Sequence, residues 1–184
     1  MTAVTVSPAK NQAGFTLIDL LFVIAIIGLL STLAIPGLMR ARGAAQSASA
    51  LGTLRVVNSA QLSFAITCGL GFYSPDFPTL AVTPPNAVDA FLAPELATGV
   101  TFVKGGYNFS MAGTSLAGAP ATCNGLGPGQ SAPGYAAVAD ALAANGPQGR
   151  FFGTNADGLI FEHTASLAGT MPESGAPPNG SPIK

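Results

Sequence analysis

The stretch Gly14-Phe15-Thr16-Leu17-Ile18-Asp19-Leu20-Leu21 opens an apolar run that continues to Ile35, and Asp19 is the only charged residue in that run. A helix over residues 15–35 would be about 31 Å long, close to the ~30 Å of hydrocarbon in a bilayer. An unpaired carboxylate in that layer costs at least ~2.5–3.5 kcal/mol. Asp19 therefore indicates either a helix that meets a positively charged partner, or a side chain that reaches the membrane interface.

The length of this run distinguishes a retained anchor from a cleaved secretory signal. A secretory signal has a basic start, an apolar core of about 7–15 residues and a small-residue cleavage site after the core. The run at 15–35 is longer, so the sequence predicts a retained membrane helix. Its orientation is not fixed by charge, because Lys10 precedes the helix whereas Arg40 and Arg42 follow it.

The amino-terminal quarter of the chain resembles the signature of type IV pilins and type II secretion pseudopilins. The resemblance rests on a short leader ending in Gly14, on residues 15–21 and 26–30, and on Pro36, which matches a proline that bends the family's helix. It implies that a prepilin peptidase cuts after Gly14 and methylates the new amino terminus, Phe15. It also implies an inner-membrane protein whose leader lies in the cytoplasm.

The resemblance assigns assembly roles to three residues, Thr16, Asp19 and Pro36. By resemblance, the Asp19 carboxylate pairs with the methylated amine of Phe15 on an adjacent subunit, with Thr16 close enough to hydrogen-bond there. The family's usual acid is glutamate, so aspartate keeps the charge on a side chain one methylene shorter. Because unpaired burial is costly, such a pair favours one vertical register between helices.

Helical character continues beyond the membrane edge. Apolar spacing at three- and four-residue steps predicts an apolar face at Leu51, Leu54, Asn58, Leu62 and Ala65. We expect one helix from Thr16 to Thr67, kinked or loosened at Pro36. The predicted organisation is a leader at 1–14, a membrane and assembly half-helix at 15–36, an amphipathic half-helix at 37–67, a globular domain at 68–168 and a flexible tail at 169–184.

The globular domain reads as a small antiparallel sheet. Residues 69–85 are predicted to be a loop and 86–96 a short helix capped by Asn86. Strand-like runs follow at 101–103, 107–111, 134–139, 150–154 and 159–163, and the last two should pair through a tight Asp-Gly turn. The predicted class is α+β, with a long amino-terminal helix packed on three or four antiparallel strands. This agrees with the pilin-like fold that the resemblance implies.

The composition is poor in charge. Charged residues make up 8% of the chain, against about 25% in ordinary domains, and mean hydropathy is +0.47. A net charge of −1 gives no electrostatic footprint for nucleic acid. A surface of this kind is poorly protected against association. It fits a subunit that packs against neighbours, and it equally fits a lineage with alanine- and glycine-rich proteins.

The chain contains two cysteines, Cys68 and Cys123. In a domain outside the cytoplasm they predict one disulfide, which would close a loop of about 55 residues and stabilise the fold by ~4 kcal/mol. Two buried thiols are the alternative. The C-x-x-C spacing is absent, so neither a redox nor a zinc site is indicated.

Signals for catalysis are weak. His163 is the only histidine and is read as a solvent-facing strand residue. Neither G-x-S-x-G nor a Walker A motif is present. We therefore expect no enzyme activity and no cofactor. Some pseudopilins bind calcium in the last hairpin, where Asn155, Asp157 and Glu162 could supply oxygen ligands; a plain turn is the alternative.

The sequence thus predicts a non-enzymatic filament subunit. Its expected partners are identical or related pilin subunits, the prepilin peptidase, the inner-membrane assembly machinery and, before assembly, the lipid bilayer. The filament could be an extracellular type IV pilus or a periplasmic type II secretion pseudopilus. Rival interpretations are a membrane-anchored binding domain that never polymerises, and an anchored hydrolase in which His163 would have to act.

Overall fold

The computed structural model describes residues 14–85, 87–142 and 149–183. Helix α1 covers Leu17–Thr67, α2 covers Phe77–Leu80, and a 3-10 turn lies at Pro94–Leu96. Six strands follow: β1 Thr101–Lys104, β2 Tyr107–Ala112, β3 Ala136–Ala141, β4 Phe151–Asn155, β5 Ile160–His163 and β6 Ser181–Pro182. The predicted α+β class, with a long amino-terminal helix and an antiparallel sheet, is confirmed. The chain divides into two units, Met1–Ala41 and Arg42–Lys184.

The first unit contains the apolar part of α1. This helix is long and apolar enough to cross a membrane, and none of its most apolar window is buried within the chain. Two hydroxyls in the window bind the helix's own carbonyls: Ser31 donates to Ile27 at 2.7 Å and Thr32 to Leu29 at 2.8 Å. These bonds let both polar side chains enter an apolar layer without losing hydrogen bonds. The α-helix continues through Pro36.

In the second unit, α1 buries one face against the sheet. The buried positions step by three or four residues through Ala50, Leu54, Val57, Gln61 and Phe64. The predicted face is therefore partly wrong, because Leu62 is 55% exposed and Asn58 is only half-buried. This half of the helix carries two overlapping apolar stripes. The stripe with the larger Phe64 side chain removes more apolar area from water, so it faces the core.

The sheet is a six-stranded antiparallel meander in the order β1 to β6. Gly105 and Gly106, both with positive φ, join β1 to β2, where a two-residue turn requires that conformation. The predicted pairing of the last two runs is confirmed, with Thr154 opposite Ile160 and Phe152 opposite Glu162. The sheet has more strands than the predicted three or four because every strand-like run pairs and the tail adds β6.

Both faces of the sheet are covered. The α1 side holds the main core, in which Phe102 and Phe109 stack at 4.8 Å between ring centroids and Phe152 packs with Tyr107. The opposite face carries a smaller cluster of Val138, Phe161, Leu167 and Met171. Each buried aromatic or leucine contributes roughly 1.5–3 kcal/mol relative to exposure.

The short helix predicted at 86–96 is wrong. Residues 87–93 are not helical, and only Pro94–Leu96 forms a turn; the predicted cap, Asn86, lies outside the described residues. A proline disfavours the helical conformation of the residue before it, so Ala93 is extended and Pro94 begins the 3-10 turn. The helix instead occurs earlier, inside the predicted loop. Asp76 caps α2 by accepting from the Thr79 N–H at 2.9 Å, and Pro78 lies in its first turn.

The described residues of the segment 169–184, for which the sequence predicts a flexible tail, make contacts with the rest of the second unit. The β6 strand pairs with β5, and Met171 is buried. The Asp157 carboxylate accepts the Gly175 N–H at 2.7 Å, and the Glu173 carboxylate accepts the Thr114 N–H at 2.7 Å. One of the four prolines of this segment, Pro182, lies in the edge strand β6, a position where no N–H donor is needed.

Candidate assembly site

Thr16 and Asp19 cap the amino terminus of α1. The Asp19 Oδ2 atom accepts from the Thr16 N–H at 3.1 Å and from the Thr16 hydroxyl at 2.5 Å, while the Asp19 N–H donates to the Thr16 Oγ1 at 3.3 Å. Thr16 directly precedes Leu17, the first helical residue, so this is a reciprocal capping box with aspartate at its third position. The carboxylate also lies at the positive end of the helix dipole.

The second carboxylate oxygen of Asp19 has no hydrogen-bond partner among the residues that the structure describes. Asp19 lines a shallow depression together with Gly14, Phe15, Phe22 and Val23. Phe15 is 89% exposed and Phe22 is 64% exposed. The first turn of α1 therefore combines a carboxylate that has one unused acceptor oxygen with exposed apolar side chains, which suits a single cationic group from a partner.

The predicted cleavage point lies outside the helix. Gly14 is exposed and non-helical, and the Gly14–Phe15 peptide precedes the first helical residue by two positions. A Cβ atom on Gly14 would meet nothing within 4 Å. The fold of the chain therefore does not itself require glycine here, and an accessible backbone is the kind that a peptidase can bind.

Cys68 and Cys123 form a disulfide, as the sequence predicts, with 4.9 Å between their Cα atoms. Cys68 directly follows the last residue of α1 and is buried, whereas Cys123 belongs to the long loop between β2 and β3. The Cys123 N–H also donates to the Cys68 carbonyl at 3.3 Å. The bridge therefore fastens this loop to the end of the helix.

The proposed calcium ligands do not converge. Glu162 on β5 pairs with Arg150, which directly precedes β4. Glu162 lies opposite Phe152, ~10 Å along the ladder from Asn155. The Asn155 amide donates to the Pro172 and Gly175 carbonyls, at 3.2 and 2.6 Å. Asn155 and Asp157 thus hold the tail, and within the described ranges no three His, Cys, Asp or Glu side chains are grouped for a metal.

His163, the only histidine of the chain, lies at the end of β5 and is half-buried. Its Nδ1 atom accepts from the Ala165 N–H at 3.1 Å. This contact closes a local turn after the strand. The ring therefore has a structural partner two residues away.

Two polar side chains of α1 make hydrogen bonds to the rest of the second unit that are not predicted from the sequence. The Asn58 Oδ1 atom accepts from the Tyr135 hydroxyl at 2.9 Å and from the Thr154 hydroxyl at 3.0 Å. The buried Gln61 amide bonds both backbone groups of Ser74, at 2.8 and 2.9 Å. The available signal was the presence of Asn and Gln on an otherwise apolar helix face. Burial raises the pKa of the Tyr135 hydroxyl well above its usual value.

Residues 9–35 match the family model described as the prokaryotic N-terminal methylation motif. The match includes Gly14, Phe15 and Asp19, and it is the signature of prepilins of the type IV pilin and pseudopilin kind. The motif indicates a protein that is processed by prepilin peptidase and that assembles into pilin-type filaments, and it fits an inner-membrane anchor. No curated protein and no solved structure matches the chain.

Proposed function

We propose that this chain is a non-enzymatic structural subunit of a type IV pilus or a pilus-like filament. Prepilin peptidase cuts between Gly14 and Phe15 and methylates the Phe15 amine. The apolar half of α1 anchors the unassembled subunit in the inner membrane and afterwards packs in the filament. The methylation motif at residues 9–35 supports this assignment.

The observation that carries the proposal is the half-occupied carboxylate of Asp19. One oxygen is held by Thr16, and the other has no partner in the described chain. Cleavage creates a cationic amine on Phe15, at the same end of the same helix. When processed copies stack, the amine of one copy neutralises the carboxylate of a neighbour, and the low dielectric of the apolar layer makes an unpaired arrangement costly.

This arrangement selects a register. A helix displaced vertically by a turn leaves a carboxylate and an amine unpaired in the apolar layer, whereas the matched position pairs both. The apolar side chains of α1 provide area for packing but little discrimination between positions, because their contacts are similar in several registers. In this account Asp19 supplies specificity and the exposed leucines and isoleucines supply contact area.

The second unit forms the part of the subunit outside the membrane. Its disulfide fits an oxidising compartment such as the periplasm or the cell exterior. An extracellular pilus and a periplasmic type II secretion pseudopilus share this architecture, and imaging of the cell surface separates them. The type IV pilus or pilus-like filament is the function we propose, and the type II secretion pseudopilus is the alternative.

Mass spectrometry of the protein isolated from its native membrane tests the proposal. The expected species begins at N-methyl-Phe15 and is recovered in sheared or membrane-associated filaments. An intact leader, or a cut beyond Ile35, would instead favour a membrane-anchored binding domain that does not polymerise. A chain that starts at Phe15 without a methyl group would support the proposed cleavage and refute the proposed methylation.

A further inference from the structure

Charges of opposite sign are separated along the chain after the first turn of α1. Residues 20–75 contain no acid and three basic residues, Arg40, Arg42 and Arg55. Residues 76–100 contain no Lys or Arg and three acids, Asp76, Asp89 and Glu95. Asp76 is used as the cap of α2, which leaves Asp89 and Glu95 as the exposed acids of this segment. In a chain with 8% charged residues, such separation restricts which surfaces can pair.

A shallow groove runs beside α1 in the second unit. It has a volume of about 320 Å³ and is lined by Arg55, Val56, Ser59, Ala60, Ser63 and Phe91. The Phe91 ring packs edge to face on the buried Phe64 ring, with 5.4 Å between centroids, so this wall is supported from the core. Val56 remains 49% exposed. The groove thus combines apolar side chains and two serines with one guanidinium.

Arg55 has no ion-pair or hydrogen-bond partner within residues 14–85, 87–142 and 149–183. The ion pair found in those residues joins Arg150 to Glu162. Asp89 is likewise exposed and unpaired in that part of the chain. Beside it, Val88 is 93% exposed, the largest exposed fraction among the large apolar side chains that the structure describes. Val88-Asp89 therefore presents an apolar group next to a carboxylate.

We propose that this groove binds the Val88-Asp89 segment of a second copy of the chain. Val88 packs on Val56, and the Asp89 carboxylate pairs with the Arg55 guanidinium in a charge-assisted bond. The inference rests on the proposed function, because a membrane pool or a filament supplies the second copy at high local concentration. Charge complementarity then orients two copies whose surfaces otherwise carry few directional contacts.

The test uses the full-length chain in native membranes, with a photo-crosslinking amino acid at Ser59. Illumination should give a cross-linked dimer on a denaturing gel, and mass spectrometry should place the cross-link within residues 87–93 of the second copy. Arg55→Glu and Asp89→Arg should each lower the yield at least about fivefold, because like charges then face each other. The combined exchange should restore the yield, while Lys104→Glu, an exposed charge change on β1, should leave it unchanged.

Three results would overturn the inference. They are the absence of a cross-linked dimer, a cross-link that maps outside residues 87–93, and a charge-exchanged double variant whose cross-linking yield stays low. Processing to N-methyl-Phe15 and filament yield are measured in the same cells. Normal processing and filaments with unaltered cross-linking in the single variants reject this surface and leave the proposed function intact. Absence of processing and of filaments rejects the proposed function itself.

Discussion

The hydroxyl of Thr16 donates to the Oδ2 atom of Asp19 at 2.5 Å, and this bond fixes which oxygen of the carboxylate remains for a partner. Two functions therefore meet in one side chain. Asp19 stabilises the first turn of its own helix, and its second oxygen remains available to a cation. The two functions can be separated by substitution, because capping requires an acceptor whereas neutralising an amine requires a charge.

Thr16→Val should weaken assembly without removing the charge of Asp19. The substitution keeps the shape of the side chain but deletes the hydroxyl, so the cap loses about 1 kcal/mol and the carboxylate keeps only the Thr16 N–H of its two hydrogen bonds. We expect filament yield to fall several-fold, with processing at Gly14–Phe15 unchanged by mass spectrometry. Thr16→Ser, which retains the hydroxyl, is the matched control. Equal filament yields from the valine and serine variants would show that the cap has no part in assembly.

Replacing both Cys68 and Cys123 with serine should destabilise the second unit by ~4 kcal/mol, the loop-closure entropy of about 55 residues. Chemical denaturation of the full chain in detergent, followed by tyrosine fluorescence, measures the change in the free energy of unfolding. Reduced wild-type protein should give the same value, since it lacks the same bond. A change below ~1 kcal/mol would mean that the loop is held by its other contacts.

Tyr135→Phe should remove a pH dependence at alkaline pH. Burial raises the pKa of the folded tyrosine above its unfolded value, so the neutral hydroxyl contributes stability that is fully present below ~pH 10 and is lost as pH rises through the folded pKa. At pH 7 the variant should lose about 0.5–1.5 kcal/mol, the hydrogen bond to Asn58. Unfolding curves from pH 7 to 11 check this. If the free energy of unfolding fell equally with pH in the wild-type protein and in Tyr135→Phe, Tyr135 would not be the source of the alkaline pH dependence.

Glu173→Gln should loosen the tail. The carboxylate accepts from both the N–H and the hydroxyl of Thr114, and the neutral amide offers a single, weaker acceptor. We expect hydrogen exchange at residues 169–183 to accelerate at least about fivefold while the β2 and β3 amides keep their protection. Glu95→Gln makes the same chemical change at an exposed carboxylate and serves as control. Equal hydrogen exchange at residues 169–183 in Glu173→Gln and Glu95→Gln would show that the Glu173 carboxylate does not hold the tail.

The sequence predicts the parts of this fold that depend on local patterns. The long apolar run and its continuation predict α1 to within one residue at its start, and each strand-like run becomes a strand because alternation and turn glycines are local signals. The same is true of the candidate site: Gly14, Phe15, Thr16 and Asp19 are adjacent in sequence, so the helix start alone brings them together.

The features that sequence reasoning missed depend on contacts between distant residues. Whether Val57 or Leu62 faces the core is settled by packing against the sheet, where the stripe that contains Phe64 buries more apolar area, since both residues lie on apolar stripes of α1. Asp157 and Glu173 accept hydrogen bonds from the backbone N–H groups of Gly175 and Thr114, which lie 18 and 59 residues away along the chain, and no sequence pattern identifies such partners. For the same reason the predicted calcium ligands, adjacent in one hairpin, turned out to have other partners.

The central claim is that the charge of Asp19, rather than its capping role, selects the assembled register. The most direct measurement is the yield of sheared or membrane-associated filaments from Asp19→Asn, Asp19→Glu and wild-type chains, with cleavage and N-methylation of Phe15 verified for each. Asparagine can still accept from Thr16 but carries no charge, whereas glutamate retains both properties. We predict that the asparagine variant loses at least about tenfold in yield and the glutamate variant does not. Normal filament yield from processed Asp19→Asn would contradict the account.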